Sequence, residues 1–135
     1  MKKIYFLIIA LVVLLSACSG SSVSLEGEWK LVSYGDSANP TSALQDIETS
    51  INYNQHHQIN GDIGCNVFNG DYQIIDDLIT FTSINSTKMY CKDTGYQETV
   101  VLNILSEQTL NFELSGNQLT LTTQDGSSVI VLERK

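Results

Sequence analysis

From Glu28 to its end, the chain is a succession of short segments in which apolar and polar residues alternate, each cut off by glycine, asparagine or aspartate. Period-two alternation bounded by turn residues is the pattern of half-buried strands and leaves little room for long helices. Glu28–Tyr34 (EWKLVSY) sets Trp29, Leu31 and Ser33 on one face and Lys30, Val32 and Tyr34 on the other. Residues 51–59 (INYNQHHQI) are expected to form a single strand with Ile51, Tyr53 and Ile59 on a common face. Residues 71–75 and 78–82 flank a turn at Asp76-Asp77, while 110–114, 118–123 and 128–132 are joined by the hairpin signals SGN and QDG. Gly35–Gln45, with the only proline, Pro40, reads as a polar loop. One segment breaks the pattern. Val101, Leu102 and Leu105 recur at helical spacing, and Thr94 with Gln97 three residues later forms a capping box, which predicts a helix over 95–106. The expected fold is mainly β: an antiparallel curled sheet or small barrel of about eight strands with one α-helix.

The N-terminus obeys a different logic. Lys2 and Lys3 precede an apolar run from Ile4 to Leu15, then the small residues Ser16 and Ala17. This is the order of a secretory signal. The run is short for a bilayer-spanning helix, which takes roughly 20 residues, so an uncleaved anchor helix is the lesser alternative. Leu15-Ser16-Ala17-Cys18 resembles a bacterial lipobox. That resemblance implies residues 1–17 as a lipoprotein signal peptide, a lipid on Cys18, and 18–24 as a serine-rich tether. Ser19 stands where an aspartate would signal retention at the inner membrane. The expected location is the cell envelope, at the outer membrane facing the periplasm if the host has two membranes.

The formal charge of −8 becomes more negative once Lys2 and Lys3 leave with the signal, because all 15 acidic residues follow it. Such a surface argues against nucleic acid as a partner. With Cys18 assigned to lipid, Cys65 and Cys91 remain as an even pair in an oxidising compartment, which favours a disulfide over two buried thiols.

Residues 61–73 (GDIGCNVFNGDYQ) concentrate turn chemistry around Cys65. Gly61 and Gly64 permit a bend, Asn66 and Asn69-Gly70 tolerate left-handed backbone, and Phe68 and Tyr72 return apolar mass to the sheet. Nothing nearby would activate a thiolate, so the stretch reads as a stapled corner joining helix to sheet. It is followed in order by LITF (78–81), STKMYC (86–91) and QE (97–98). With LEGEWKLVSY (25–34) and the closing LTLTTQDGSSVIVLER, this series resembles the META domain of HslJ-like lipoproteins over about residues 25–134. The motif residues are Gly64, Asn66, Phe68, Gly70, Tyr72, Thr87, Met89 and Glu98. The resemblance implies a barrel-like all-β fold with a helix, no assigned enzymatic activity, and links to heat-shock response, novobiocin tolerance and secretion.

Other candidate chemistry is thin. His56 and His57 are adjacent, so on a strand they face opposite ways and would not share a metal. No nucleophile elbow, phosphate loop or dinucleotide fingerprint occurs. No catalytic residue, metal or cofactor is expected. Lys88, Met89 and Tyr90 could form the lip of a groove, but the plainer expectation buries Met89 and leaves Lys88 solvated. Glu98 could be only a charge favoured at a helix start. Two functions follow: a non-enzymatic stress-tolerance or assembly factor acting through protein contacts, or a carrier holding a lipid or small hydrophobic ligand inside a barrel.

Overall fold

The computed structural model describes residues 23–135 apart from Glu107, so the expected signal, Cys18 and most of the expected tether lie outside the described residues. The strands are β1 (Gly27–Asp36), β2 (Thr41–Ser42), β3 (Ser50–Tyr53), β4 (Gln58–Asp62), β5 (Val67–Ile75), β6 (Leu78–Ser86), β7 (Thr109–Ser115), β8 (Gln118–Thr123) and β9 (Ser128–Arg134). Helix α1 (Gly95–Leu105) is inserted between β6 and β7. All pairings are antiparallel between strands that follow one another around the sheet, and β1 also pairs with β9. That last pairing closes the sheet into an eight-stranded barrel, with the two-residue β2 appended to the free flank of β1.

Alternation produces the core. In β5, Phe68, Gly70 and Tyr72 point inward while their neighbours face solvent. Trp29, Tyr53 and Phe81 are the largest fully buried side chains, packed with Ile51, Ile59, Ile79, Leu110, Leu119, Leu121 and Ile130. Phe81 and each of the aliphatic side chains contribute about 1.5–3 kcal/mol by leaving water. Helix α1 closes one end of the barrel, adding Val101, Ile104 and Leu105 to the core. At the other end lie the turns after Tyr53, Ile75 and Ser115 and both described chain ends. There the N–H of Lys135 donates to the carbonyl of Glu28, and the Arg134 guanidinium sits 4.2 Å over the Trp29 ring.

Three local expectations are corrected. Residues 51–59 are not one strand: β3 stops at Tyr53 and β4 starts at Gln58, with His56 and His57 in the turn between them. Asn54 builds that turn, its Oδ1 accepting the N–H groups of His56 and Gln58 at 2.9 and 3.0 Å. Tyr34 is buried on the same side as Trp29 and Leu31, because the register with β9 slips between Leu31 and Ser33. A bulge of this kind inverts the facing of every later residue in the strand. Helix α1 does follow Thr94, but that residue makes no side-chain cap bond.

Candidate functional site

The corner between β4 and β5 meets the start of α1 and the segment linking it to β6. Asp62 begins the corner by accepting the N–H of Gly64 at 2.6 Å. Gly64 has φ of +131°, and a Cβ there would lie 3.0–3.1 Å from the side chains of Ile47 and Thr94. Only glycine combines that backbone with so close an approach. Cys65 follows, joined by a disulfide to Cys91, with Cα atoms 6.3 Å apart.

The disulfide is one of several ties. Oε1 of Glu98 accepts the N–H groups of Cys65, at 3.1 Å, and of Asn66. Nδ2 of Asn66 donates to the other Glu98 oxygen at 2.9 Å and to the carbonyl of Met89 at 3.2 Å. Oδ1 of Asn66 accepts the Met89 N–H and the Thr87 hydroxyl, each at 2.8 Å. Asn66 and Glu98 are both buried, and both ends of the carboxamide and both carboxylate oxygens are in use. Buried polar groups so completely paired fix one arrangement of their neighbours.

Gln97 works beside them. Its Oε1 accepts the N–H of Leu44 at 3.0 Å and its Nε2 donates to the carbonyl of Ile63 at 2.8 Å. A side chain spent on two barrel loops cannot fold back onto the Thr94 N–H, and Thr94 has helical-region backbone (φ −109°, ψ −13°) in place of the extended one an N-cap uses, so both halves of the expected capping box are missing.

The motif residues divide cleanly. Gly64, Asn66, Thr87 and Glu98 form the lock. Phe68 and Tyr72 are core residues, and the Tyr72 hydroxyl donates to the Asn54 carbonyl at 3.1 Å. Gly70 sits where β5 slips register against β6, and a Cβ there would strike the Ile84 side chain. Met89 contributes only main chain to the lock. Its side chain, expected in the core, is 61% exposed, and Tyr90 is 91% exposed. Once Asn66 binds both the N–H and the C=O of Met89, the strap from Thr87 to Cys91 is pinned with the side chains of Met89 and Tyr90 outward, while those of Thr87 and Cys91 turn back to Asn66 and Cys65. Between strap and helix lies an open cleft of about 380 Å3 bordered by Thr87, Tyr90, Thr99 and Leu102.

The two sulfurs and a Glu98 oxygen lie within 4.8 Å of one another, a grouping that resembles a metal ligand set. The sulfurs are spent on each other, leaving no thiolate to donate, and the carboxylate is occupied by N–H donors. The geometry is that of a structural lock. Sequence reasoning missed Gln97 as a bridge and Asp62 as the corner's first acceptor. The Asp-x-Gly spacing at 62–64 was the available signal for the second.

An eight-stranded closed barrel with a helix over one end and a disulfide-tied corner defines the class of protein. The META domain family model matches residues 22–135, and the chain belongs to the META domain family. Among solved structures, a protein from Burkholderia xenovorans determined by NMR shares the fold at 17% identity with a TM-score of 0.64, over 89% of this chain and 97% of that one. A duf4847 family protein from Bacteroides vulgatus shares it at 18% identity with a TM-score of 0.59, over 82% and 93% of the two chains. No curated protein matches.

Proposed function

We propose that this chain is a non-enzymatic envelope protein, anchored by a lipid on Cys18, that acts in stress tolerance or assembly through a protein partner bound at the Lys88–Tyr90 strap. The observation that carries this is the combination at Met89: a main chain fixed by Asn66 and a side chain turned to solvent beside the nearly bare Tyr90. A main chain fixed in advance does not have to be ordered on docking, and an exposed aromatic beside a thioether supplies the contact area from which binding surfaces gain affinity. Charge supports it further. Among the described residues, Lys30 and Lys135 are in ion pairs and Arg134 covers Trp29, whereas Lys88 in the strap and Lys92 just after it are in no ion pair. An apolar pocket rimmed by carboxylates is the complementary partner surface.

The chain enters at the end away from α1, so a lipid on Cys18 would present the strap away from its own membrane. The carrier alternative has less support, because the barrel interior is occupied by Trp29, Tyr53, Phe81 and their aliphatic neighbours.

The test is a photo-crosslinking residue placed at Tyr90 and, in a separate variant, at Asp77 on the opposite end, in cells of the native host. Discrete adducts from position 90 and none from 77 are expected. No adduct at 90, or equal adducts at both positions, would overturn the proposal. Incorporation of radiolabelled palmitate into the chain, and its loss in Cys18→Ser, would confirm the anchor, while an unlabelled chain would refute it.

A further inference from the structure

Helix α1 separates two openings, and the larger faces away from the strap. It is a cleft of about 900 Å3 between the helix and the turn joining β8 to β9, within the size range of small-ligand sites and at the mouth of the barrel where such sites occur. Tyr96 forms its rim. The ring is 72% exposed and is backed by Tyr34, with ring centres 6.5 Å apart, so it offers a flat amphipathic face. Asn103 on the helix and Gln124 on the turn face the same space and each carries both donors and acceptors.

The turn wall is fixed before any ligand arrives. Asp125 Oδ1 accepts from the Thr123 hydroxyl at 2.6 Å and from the N–H and hydroxyl of Ser127 at 3.0 and 2.8 Å. The Ser37 N–H donates to the Ser127 carbonyl at 3.0 Å, tying the turn to the loop after β1. Among the described residues, the charged members of the lining, Asp36 and Asp125, are both acidic, with no lysine or arginine beside them. Phosphate and carboxylate ligands are therefore disfavoured, and a lining so rich in amides and hydroxyls is a poor match for an acyl chain. The ligand that fits presents hydroxyl or acetamido groups at its edge, an apolar C–H face to a tyrosine ring, and no negative charge.

We infer that the cleft between α1 and the β8–β9 turn binds an uncharged oligosaccharide, stacked on Tyr96 and hydrogen-bonded by Asn103 and Gln124. This does not depend on the strap or on its partner.

The test is heteronuclear NMR of the full chain in a zwitterionic, sugar-free detergent, titrated with the hexamers of N-acetylglucosamine and of glucose. Saturable shifts of the Tyr96, Asn103, Gln124 and Gly126 amides are expected with at least one hexamer. Tyr96→Ala and Gln124→Ala should each weaken that response roughly tenfold, with the remaining sheet resonances unmoved, a loss consistent with removing a stacking or hydrogen-bonding partner. Tyr90→Ala should leave it unchanged, which separates this cleft from the strap. Absence of saturable shifts up to about 10 mM of either sugar, a range covering even weak complexes, would overturn the inference. So would binding that survives Tyr96→Ala in full.

Discussion

The carboxamide of Asn66 donates to the carboxylate of Glu98 at 2.9 Å across the junction of corner and helix, and neither residue has an unused polar atom facing the core. Removing one partner strands the other in a buried site. Glu98→Ala and Asn66→Ala should each lower stability by about 3 kcal/mol in urea unfolding. The double variant should cost less than the sum, with a coupling of about 1–2 kcal/mol. Additive losses would mean that the two do not act as a unit.

The disulfide joins residues 26 apart and constrains the unfolded chain as well as the folded one. Cys65→Ser with Cys91→Ser should reduce stability by ~3 kcal/mol while the barrel persists, because the Asn66–Glu98 bonds still hold the corner. Circular dichroism of the β-sheet at low temperature, compared with the midpoint of thermal unfolding, would check both halves of that statement.

Two glycines should respond in opposite directions to alanine. At Gly70 a Cβ would meet the Ile84 side chain and lie 3.0 Å from the Thr82 carbonyl, so Gly70→Ala should cost about 1–3 kcal/mol. At Gly95, in the first turn of α1, nothing lies within 4 Å, and Gly95→Ala should stabilise by about 0.4–1 kcal/mol through the unfolded chain. Equal midpoints for the two variants would contradict the packing described at the bulge.

Asp125 has its carboxyl held down to about 2 by the hydrogen bonds from Thr123 and Ser127. A carboxyl depressed in the folded state contributes stability that is present above its unfolded pKa, near 4, and lost as pH falls toward 2. Asp125→Asn should therefore lower the melting temperature at pH 7, with the gap to the unaltered protein closing as the pH drops through that window. A gap that is constant with pH would show that the turn does not depend on the ionised carboxylate.

The general architecture was legible because alternation and turn residues are local signals. The strand core, the hairpins at Asp76-Asp77, SGN and QDG, and the helix near 95–106 all follow from them. Errors arose where one residue changes the register. A bulge between Leu31 and Ser33 leaves no mark in the EWKLVSY alternation yet turns Tyr34 inward. The turn at 54–57 was hidden by apolar residues on both sides, and by polar side chains that suit strand or turn alike. The pairing of Cys65 with Cys91 could be reached by parity, but the Asn66–Glu98 contact could not. It joins residues 32 apart through side-chain geometry that no periodicity encodes. Met89 misled for the same reason: its hydrophobicity argued for burial, while its main-chain bonds to Asn66 decided its direction.

The barrel closes by pairing β1 with β9 from Trp29↔Arg134 to Asp36↔Ser128, so the first strand has its full complement of neighbours only when the last has been delivered. Contacts of such sequence separation are entropically expensive and form late, whereas hairpins such as β5–β6 and β7–β8 are local enough to form earlier. A chain emerging N-terminus first thus keeps one long open edge, that of β1, until its final residues are free. The stretch from Ser128 to Arg134 is therefore a timer: it sets the moment at which a ribbon able to join other ribbons becomes a cylinder with no such edge left along β1 and β9.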